Sequence, residues 1–478
     1  MSVRVVVAEG DGVGPEITRA VLKIIRAAVA PIEWEPIRVG QAIYEQGNTS
    51  GVPADAWGAI RRHGVLLKGP ITTPQGKGFK SVNVTIRKAL NLFANVRPCK
   101  AYAPFVASPH PGMNLVIVRE NEEDLYAGIE HRQTPEVRQV LKLVTRPGCE
   151  KIIRYAFEYA RAYGRRKVSC MTKDNIMKQT DGLFHQVFDE VAAEYPEIEA
   201  NHFIIDIGAA RLAASPEIFD VIVTLNLYGD ILSDIAAQIA GSVGFASSAN
   251  VGEQVSMFEA VHGSAPDIAG RGIANPSGLL IAATQLLVHV GLSEQASVIK
   301  NAWLRTLEDG IHTPDVHREA ISSRKVGTDD FAEAIIERLG SEPRVLEPVR
   351  YRTTRPIQVS YRTTPTEQRL VGVDVFLGWD QEGRDPNVLA EHLHRASTGT
   401  LRLGLITNRG VKVYPDGLPE TFRTDHWRCR FKAEADEIPY ARVIELLQRI
   451  DQAGLRVIKT ENLYTFDGSP GFSLGQGE

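Results

Sequence analysis

TLNLYGDILSDIAAQ, residues 224–238, is the stretch whose reading decides the rest of the chain. An apolar run, VIVTLNLY, ends at Gly229 and passes into a helix-like run that carries Asp230 and Asp234. Aspartates four residues apart on a helix share one face, with Cβ atoms roughly 5–6 Å apart. Like charges at that spacing destabilise a bare helix, so a cation is expected between them. Hard divalent ions such as Mg²⁺ are held by carboxylate oxygens of this kind. Alone, the pair reads more readily as one aspartate favouring the helix dipole and one facing solvent. The company it keeps along the chain raises the metal reading.

The 478 residues have room for two or three domains with buried cores. Hydrophobic residues at 43% and charged residues at 23% describe an ordinary globular protein rather than a disordered one. A formal net charge of −4 argues against a nucleic-acid partner. The four cysteines (Cys99, Cys149, Cys170 and Cys429) are scattered and form no Cys-x-x-Cys pair, which suits a reducing compartment. The longest apolar stretch, LLIAATQLLVHVGL (279–292), is too short to span a bilayer. The chain opens directly on the strand-like VRVVVAEG, with no signal-peptide pattern. A cytoplasmic protein with no membrane partner is expected.

Along the chain, strand-like and helix-like runs alternate, the pattern of an α/β domain with a mostly parallel sheet. After the first strand comes GDGVGPE (10–16). Its glycines imitate a dinucleotide fingerprint, but Pro15 stands where the third glycine is needed, so a tight strand-to-helix turn is predicted instead. The strand VLLKGPI leads into a polar loop with Thr72 and Thr73. KSVNVTIRKAL (80–90) reads as a helix bearing Ser81, Asn83 and Arg87, with Arg97 soon after. Guanidinium groups bind carboxylates bidentately, so this cluster suits a carboxylate- or phosphate-rich ligand. NLVIVRENEEDLYAG places Arg119 and Tyr126 at the end of a strand, KVSCMTKDNIM ends in Lys173, and ANHFIIDIG carries Asp206. EHRQTPEVRQVLKLVT (130–145) suggests a hairpin of the kind exchanged between subunits. MFEAVHGSAPDIAGRGIANPSG (257–278) reads as a loop, followed by two helices to about residue 340. Residues 341–367, rich in Pro, Arg and Thr, read as a linker. Beyond it a separate α+β domain spans 368–468, and a low-complexity tail, 469–478, is expected to be disordered.

GDGVGPE, LLKGPITTP, KSVNVTIRKAL, NVRP, RENEEDLYAG, TKDNIMK, NLYGDILSD and HGSAPDIAGRGIANP, in this order, resemble the β-decarboxylating dehydrogenases of the isocitrate/isopropylmalate dehydrogenase family. The resemblance covers roughly residues 1–340. Ser81 and Asn83 resemble the isocitrate branch, and the C-terminal addition resembles a bacterial subgroup with an extra domain.

The fold implied is α/β: a two-lobed, isopropylmalate dehydrogenase-like core with a central mixed sheet, plus the small α+β domain. The large lobe would take about 1–95 and 241–340, and the small lobe with a clasp about 96–240. The activity implied is metal-dependent oxidative decarboxylation of isocitrate to 2-oxoglutarate and CO₂, as in the tricarboxylic acid cycle. The same chemistry on homoisocitrate, isopropylmalate or tartrate is the alternative, and a non-catalytic regulatory subunit the second. By matching motif, Ser81, Asn83, Arg87, Arg97 and Arg119 would hold the substrate carboxylates, and Tyr126 and Lys173 would carry protons. Asp206, Asp230 and Asp234 would bind Mg²⁺ or Mn²⁺. Lys68, Thr72, Thr73, His262, Gly263, Ser264, Ala265, Asp267, Ile268 and Asn275 would border the nucleotide. Asp206 and Lys173 would come from the other subunit of a homodimer or higher assembly with shared sites. In family members that use NADP, Lys and Tyr stand where this chain has Asp267 and Ile268, so NAD is the cofactor expected.

Overall fold

The computed structural model describes residues 2–74, 80–352, 357–361 and 365–475. These divide into two units: Met1–Tyr126 with Leu143–Tyr361, and Ala127–Lys142 with Arg362–Glu478.

The first unit is built on a ten-stranded mixed sheet. Its strands lie in the order Ile32–Ile37, Val3–Ala8, Val65–Lys68, Ser256–Ala260, Ser247–Val251, Ala94–Lys100, Asn114–Glu120, Val221–Thr224, Lys167–Thr172, Glu199–Ile204. The first four run parallel to one another, as do the last four. Between them Ser247–Val251 and Ala94–Lys100 pair antiparallel with each other and with their outer neighbours. The α/β expectation therefore holds, with the parallel pattern interrupted at the middle.

That middle positions the site. Successive side chains of a strand point to opposite faces. On one face Leu67, Phe258, Ala249, Val96, Val118 and Val223 join a single continuous core under the long helices. On the other face the apolar packing splits in two. Leu66 and Met257 belong to one cluster, and Leu115, Ile117 and Ile222 to another. The positions in the gap are polar and buried: Lys68, Glu259, Asn250, Asn95, Arg97 and Arg119. Buried polar groups persist only where they are paired or meet a ligand.

The helices follow from local sequence. Ser81 caps Val82–Ala89, its Oγ accepting from the Val84 N–H at 3.4 Å. Thr145 caps Arg146–Ala162 in the same way. Three helices rather than two follow the 257–278 segment: Ser277–His289, Ser293–Glu308 and Thr328–Ile336. That segment itself begins as a strand, Ser256–Ala260, before turning to loop. In GDGVGPE, Gly10 and Gly12 adopt positive φ (74° and 57°). A Cβ on Gly12 would lie 2.0 Å from the Ser264 carbonyl oxygen, so only glycine allows this approach. The turn is thereby tied to two distant loops, Asp11 N–H donating to the Pro70 carbonyl and Val13 N–H to that of Ser264.

The second unit has a six-stranded antiparallel sheet in the order Val411–Tyr414, Arg402–Asn408, His426–Lys432, Gln368–Gly378, Arg456–Phe466, Ser469–Pro470. With helices Pro386–Ala396 and Ala441–Gln452 inserted, the long strands make a βαββαβ unit. The hairpin of Glu130–Arg132 and Arg138–Val140 belongs to this unit. Glu136 pairs with Arg384 at 2.7 Å and accepts from the Asp425 N–H at 3.1 Å. The expectation of a disordered tail fails for 469–475. Ser469–Pro470 extend the sheet, Ser473 accepts from Arg430 at 2.9 Å, and the Arg430 guanidinium lies 4.9 Å from the Phe472 ring centre. Residues 476–478 lie outside the described part, as do 353–356 and 362–364 of the linker.

Candidate active site

The polar gap gathers most of the residues singled out for the substrate. Arg97 and Arg119 project from adjacent antiparallel strands, paired through Asn95 opposite Arg119. Asp230 and Asp234 project from the helix Asn226–Ala240 that covers them. The glycine before Asp230 makes room: a Cβ on Gly229 would sit 2.6 Å from Arg119 Cγ. Arg119 donates to Asp230 Oδ1 and, at 2.7 and 3.0 Å, to Asn226 Oδ1. Arg97 Nη1 lies 3.3 Å from Asp230, 4.0 Å from Asp234 and 2.5 Å from Ser233 Oγ. Tyr126, on the short turn Leu125–Ala127, donates its hydroxyl to Asp230 Oδ2 at 2.5 Å, and the Arg119 guanidinium lies 4.9 Å from its ring centre.

These contacts set the charges. Burial works against ionisation of Asp230, but Arg119 and Arg97 outweigh it and hold the carboxyl below its usual range. Asp234 is pushed upward, by burial first and then by Asp230, with Arg97 opposing. Two carboxylates one turn apart, one of them strained toward protonation by the other, form a hard-oxygen donor set that suits Mg²⁺ or Mn²⁺. Tyr126 is raised, again by burial first, so its hydroxyl keeps its proton at neutral pH. Arg87 stands slightly apart, bound to Glu259 at 2.7 Å, which also takes Lys68 at 2.8 Å. Burial opposes the Glu259 charge, yet Lys68 and Arg87 hold its carboxyl far below the ordinary range.

Next to this cluster a cavity of about 420 Å³ is lined by Thr72, Thr73, Asn83, Arg87, His262 and the Gly263–Pro266 backbone, among others. Asn83 Oδ1 and His262 Nε2 are buried there without a hydrogen-bond partner among the described residues. His262 Nδ1 lies 3.0 Å from the Gly263 carbonyl, which leaves Nε2 as a bare acceptor, and burial lowers the imidazole pKa. Two orphan acceptors facing one cavity match a ligand rich in hydroxyl or amide hydrogens, as a nicotinamide nucleotide is. Lys68 lines the same cavity, but its side chain is fully buried and engaged by Glu259 and its neighbour's carbonyl, so it braces the wall. Ser81 touches Thr73 at 3.1 Å while capping its helix. Asn275 lies outside the lining and donates to Asp315 at 3.0 Å.

Two expected members stand elsewhere within one chain. Lys173 donates to Asp206 Oδ1 at 2.6 Å, at the end of Lys167–Thr172 and the start of Ile205–Ala214. Neither has a described contact with Tyr126 or with Asp230 and Asp234. The nearby trio Asp174, His185 and His202 brings metal-type ligands together. Its two imidazoles stack 3.6 Å apart, and protein groups already engage their nitrogens, His185 Nδ1 lying 2.7 Å from Asp174 Oδ2 and His202 Nε2 2.8 Å from Thr172 Oγ1. Sequence reasoning passed over Glu259, Asn95, Asn226 and Asn250. Asn250 accepts from Asn95 at 2.6 Å and donates to Glu259 at 2.9 Å, linking the arginine cluster to the cavity wall. Local composition does not flag them: Asn95 stands in ANVRPCK and Asn250 in SSANV, strands that carry other polar residues as well.

Asp267 and Ile268 lie on a short 3₁₀ turn, Pro266–Ile268, with Asp267 exposed. A solvated, salt-screened carboxylate exerts little force on a neighbouring phosphate, so the pair is a weak discriminator between cofactors.

Comparison with known proteins agrees on the framework and corrects the cofactor. The family model "Isocitrate/isopropylmalate dehydrogenase" matches residues 4–335, and "Bacterial isocitrate dehydrogenase, C-terminal domain" matches 368–478. A Rickettsia bellii protein named isocitrate dehydrogenase [NADP] is 52% identical, over 99% of both chains. One of the same name from Thermus thermophilus is 45% identical over 99% of this chain and 96% of its own. A crystal structure of a Thermus thermophilus protein superposes with a TM-score of 0.92 at 45% identity, covering 99% of this chain and 96% of that one. The full-length relatives' names overturn the expectation of NAD. Eight motifs, the polar gap in the mixed sheet and these matches agree, and the chain belongs to the isocitrate/isopropylmalate dehydrogenase family.

Proposed function

We propose that the chain catalyses the oxidative decarboxylation of isocitrate with NADP as hydride acceptor and a divalent metal bound. The observation that carries this reading is the convergence of Arg97, Arg119 and Tyr126 on Asp230, beside Arg87 and the orphan acceptors of the cavity. NADP follows the names of the full-length relatives.

Arg87, Arg97 and Arg119 supply forked donors for a tricarboxylate, held in place by Glu259, Ser233 and Asn226 respectively. Ser81 and Asn83, at the start of the Arg87 helix, would read the carboxylate that distinguishes isocitrate from malate. A Mg²⁺ or Mn²⁺ held by Asp230 and Asp234 would supply Lewis acidity to the substrate hydroxyl and the carbonyl formed from it. His262 Nε2 and Asn83 Oδ1 would accept hydrogens from the nucleotide and orient it for hydride transfer from C2. Tyr126 keeps its proton through the oxidation and delivers it to C3 once CO₂ has left. Lys173 and Asp206, paired with each other in a single chain, would complete the site of a second copy, so the working form would be a homodimer or higher assembly. Action in the cytoplasm is consistent with the absence, among the described residues, of any helix long and apolar enough to cross a membrane.

The test is a steady-state assay of the full chain with isocitrate and Mn²⁺ or Mg²⁺. NADP should exceed NAD in kcat/KM by tenfold or more, with isopropylmalate inert. Turnover of isopropylmalate in preference to isocitrate would overturn the substrate, and preference for NAD would overturn the cofactor.

A further inference from the structure

The reverse face of the same three central strands holds a second, larger cavity of about 750 Å³. Val96, Ala249 and Phe258 line it, while their chain neighbours Arg97, Asn250 and Glu259 belong to the catalytic face. Period-2 alternation thus makes the wall between the two cavities a single layer of backbone. Helix Ser277–His289 and linker residues such as Tyr351 contribute other walls.

Two features inside this cavity call for a ligand. Lys300 lines it at 6% exposure, with Nζ 3.1 Å from the Tyr102 hydroxyl and 4.0 Å from the centre of the Trp303 ring. No carboxylate among the described residues pairs with it. Lys100, a second lining cation, likewise has no described ion pair, whereas the lining acid Glu253 is bound by Lys151 at 3.0 Å. Two amines therefore stand among apolar and aromatic walls with no described carboxylate partner. The second feature is Gln285, whose Oε1 is buried in the lining without a partner. Burial pushes the Lys300 pKa well below the ordinary lysine range, which an anion at Nζ would reverse.

We propose that this cavity is an effector site for a small amphipathic anion. Its aromatic or aliphatic body fills the cavity, its acidic head pairs with Lys300, and a hydroxyl or N–H meets Gln285. The volume lies within the usual range for small-molecule sites. Because the strands it presses on carry Arg97, Asn250 and Glu259 on their other side, occupancy is coupled to substrate binding, and the coupling is reciprocal.

The experiment uses the full chain and 8-anilinonaphthalene-1-sulfonate, an aromatic anion with one N–H. Fluorescence titration should give one site per chain. Lys300→Met should weaken binding about tenfold, and Gln285→Trp, which fills the cavity, should abolish it. Both variants should keep ligand-free isocitrate turnover within about twofold of the parent. Octanoate should displace the probe and octyl glucoside should not. Saturating isocitrate should shift probe affinity by the factor by which the probe shifts isocitrate affinity. The binding arms stand independently of the proposed reaction. Failure of the parent to bind, unchanged affinity in both variants, or equal displacement by octyl glucoside would overturn the anion site. Binding with no mutual shift would overturn its role as an effector site.

Discussion

Two buried ionic clusters, one in each unit, use the same chemistry to opposite ends. In the first unit Glu259 holds Lys68 and Arg87 at 2.8 and 2.7 Å. In the second Asp374 holds Arg430 bidentately at 2.8 and 2.9 Å. Both project from a central strand of their sheet. The Arg430 cluster is closed by its own chain, with Ser473 taking a further guanidinium hydrogen and Phe472 lying against it. The Glu259 cluster instead opens onto a cavity with two orphan acceptors. Burial and pairing of charge are common to both. What separates a structural pair from a ligand site is whether the surrounding polar atoms are satisfied by protein.

The sharpest way to separate the two is activity. Asp230→Asn should lower kcat about 10³-fold or more, matched by excess EDTA on the parent and reversed there by Mn²⁺. Asp374→Asn should leave kcat within about twofold in the same assay. Next in size, Tyr126→Phe should cost about 10²–10⁴-fold in overall turnover, the range for a positioned acid. Parent-like turnover would remove the hydroxyl from the mechanism. Third, Glu259→Gln and Asp374→Asn should each destabilise by about 3–5 kcal/mol in denaturant unfolding, since each leaves buried cations unpaired. Only Glu259→Gln should also raise the KM for isocitrate, because Arg87 loses its brace. Equal KM values would erase the distinction between the clusters.

The smallest effect concerns pH. Burial pushes the Glu120 carboxyl up to about 8, despite N–H donors from Glu122 and Glu123. In the unfolded chain such a carboxyl loses its proton near about 4.3. Between these values the folded state binds more protons, so stability falls as pH rises through that window. Glu259 has the opposite sign: its contribution is full above the unfolded value and lost as pH falls toward its depressed folded one. Melting temperature should therefore decline from about pH 5 to 8, and Glu120→Gln should flatten that decline. An unchanged slope would move the effect to another group.

Much of the framework was legible because it rests on local patterns. Apolar runs marked the strands, KSVNVTIRKAL read as a helix although its Ser81 cap went unnoticed, and Asp230 with Asp234 gained meaning only from the motifs around them. In the second unit's strand His426–Lys432, Trp427, Cys429 and Phe431 alternate as a buried face should, but basic residues hold every other position, and one of them, Arg430, is itself buried against Asp374. The mixed character of the large sheet came only through the family resemblance and not from the residues themselves, since strand direction depends on partners far apart in sequence. Glu259 stayed hidden for the same reason: a carboxylate inside SMFEA makes sense only once Lys68 and Arg87 are beside it. Lys68 had looked like a nucleotide contact. Asp267 misled in another way, since a change of residue type was weighed without its exposure, and exposure is what weakens a charge.

The turn at Gly12 has a consequence for the order of events during synthesis. Val13 donates to the Ser264 carbonyl, and Val65–Lys68 takes Ser256–Ala260 as its neighbour. These partners follow about 190–250 residues later on the ribosome. At roughly 5–20 residues per second, the N-terminal strands wait on the order of 10–50 s with one edge of hydrogen-bonding groups uncovered. Such an edge is open to pairing with another nascent chain, so chaperone dependence should be greatest for chains released before residue 264 emerges.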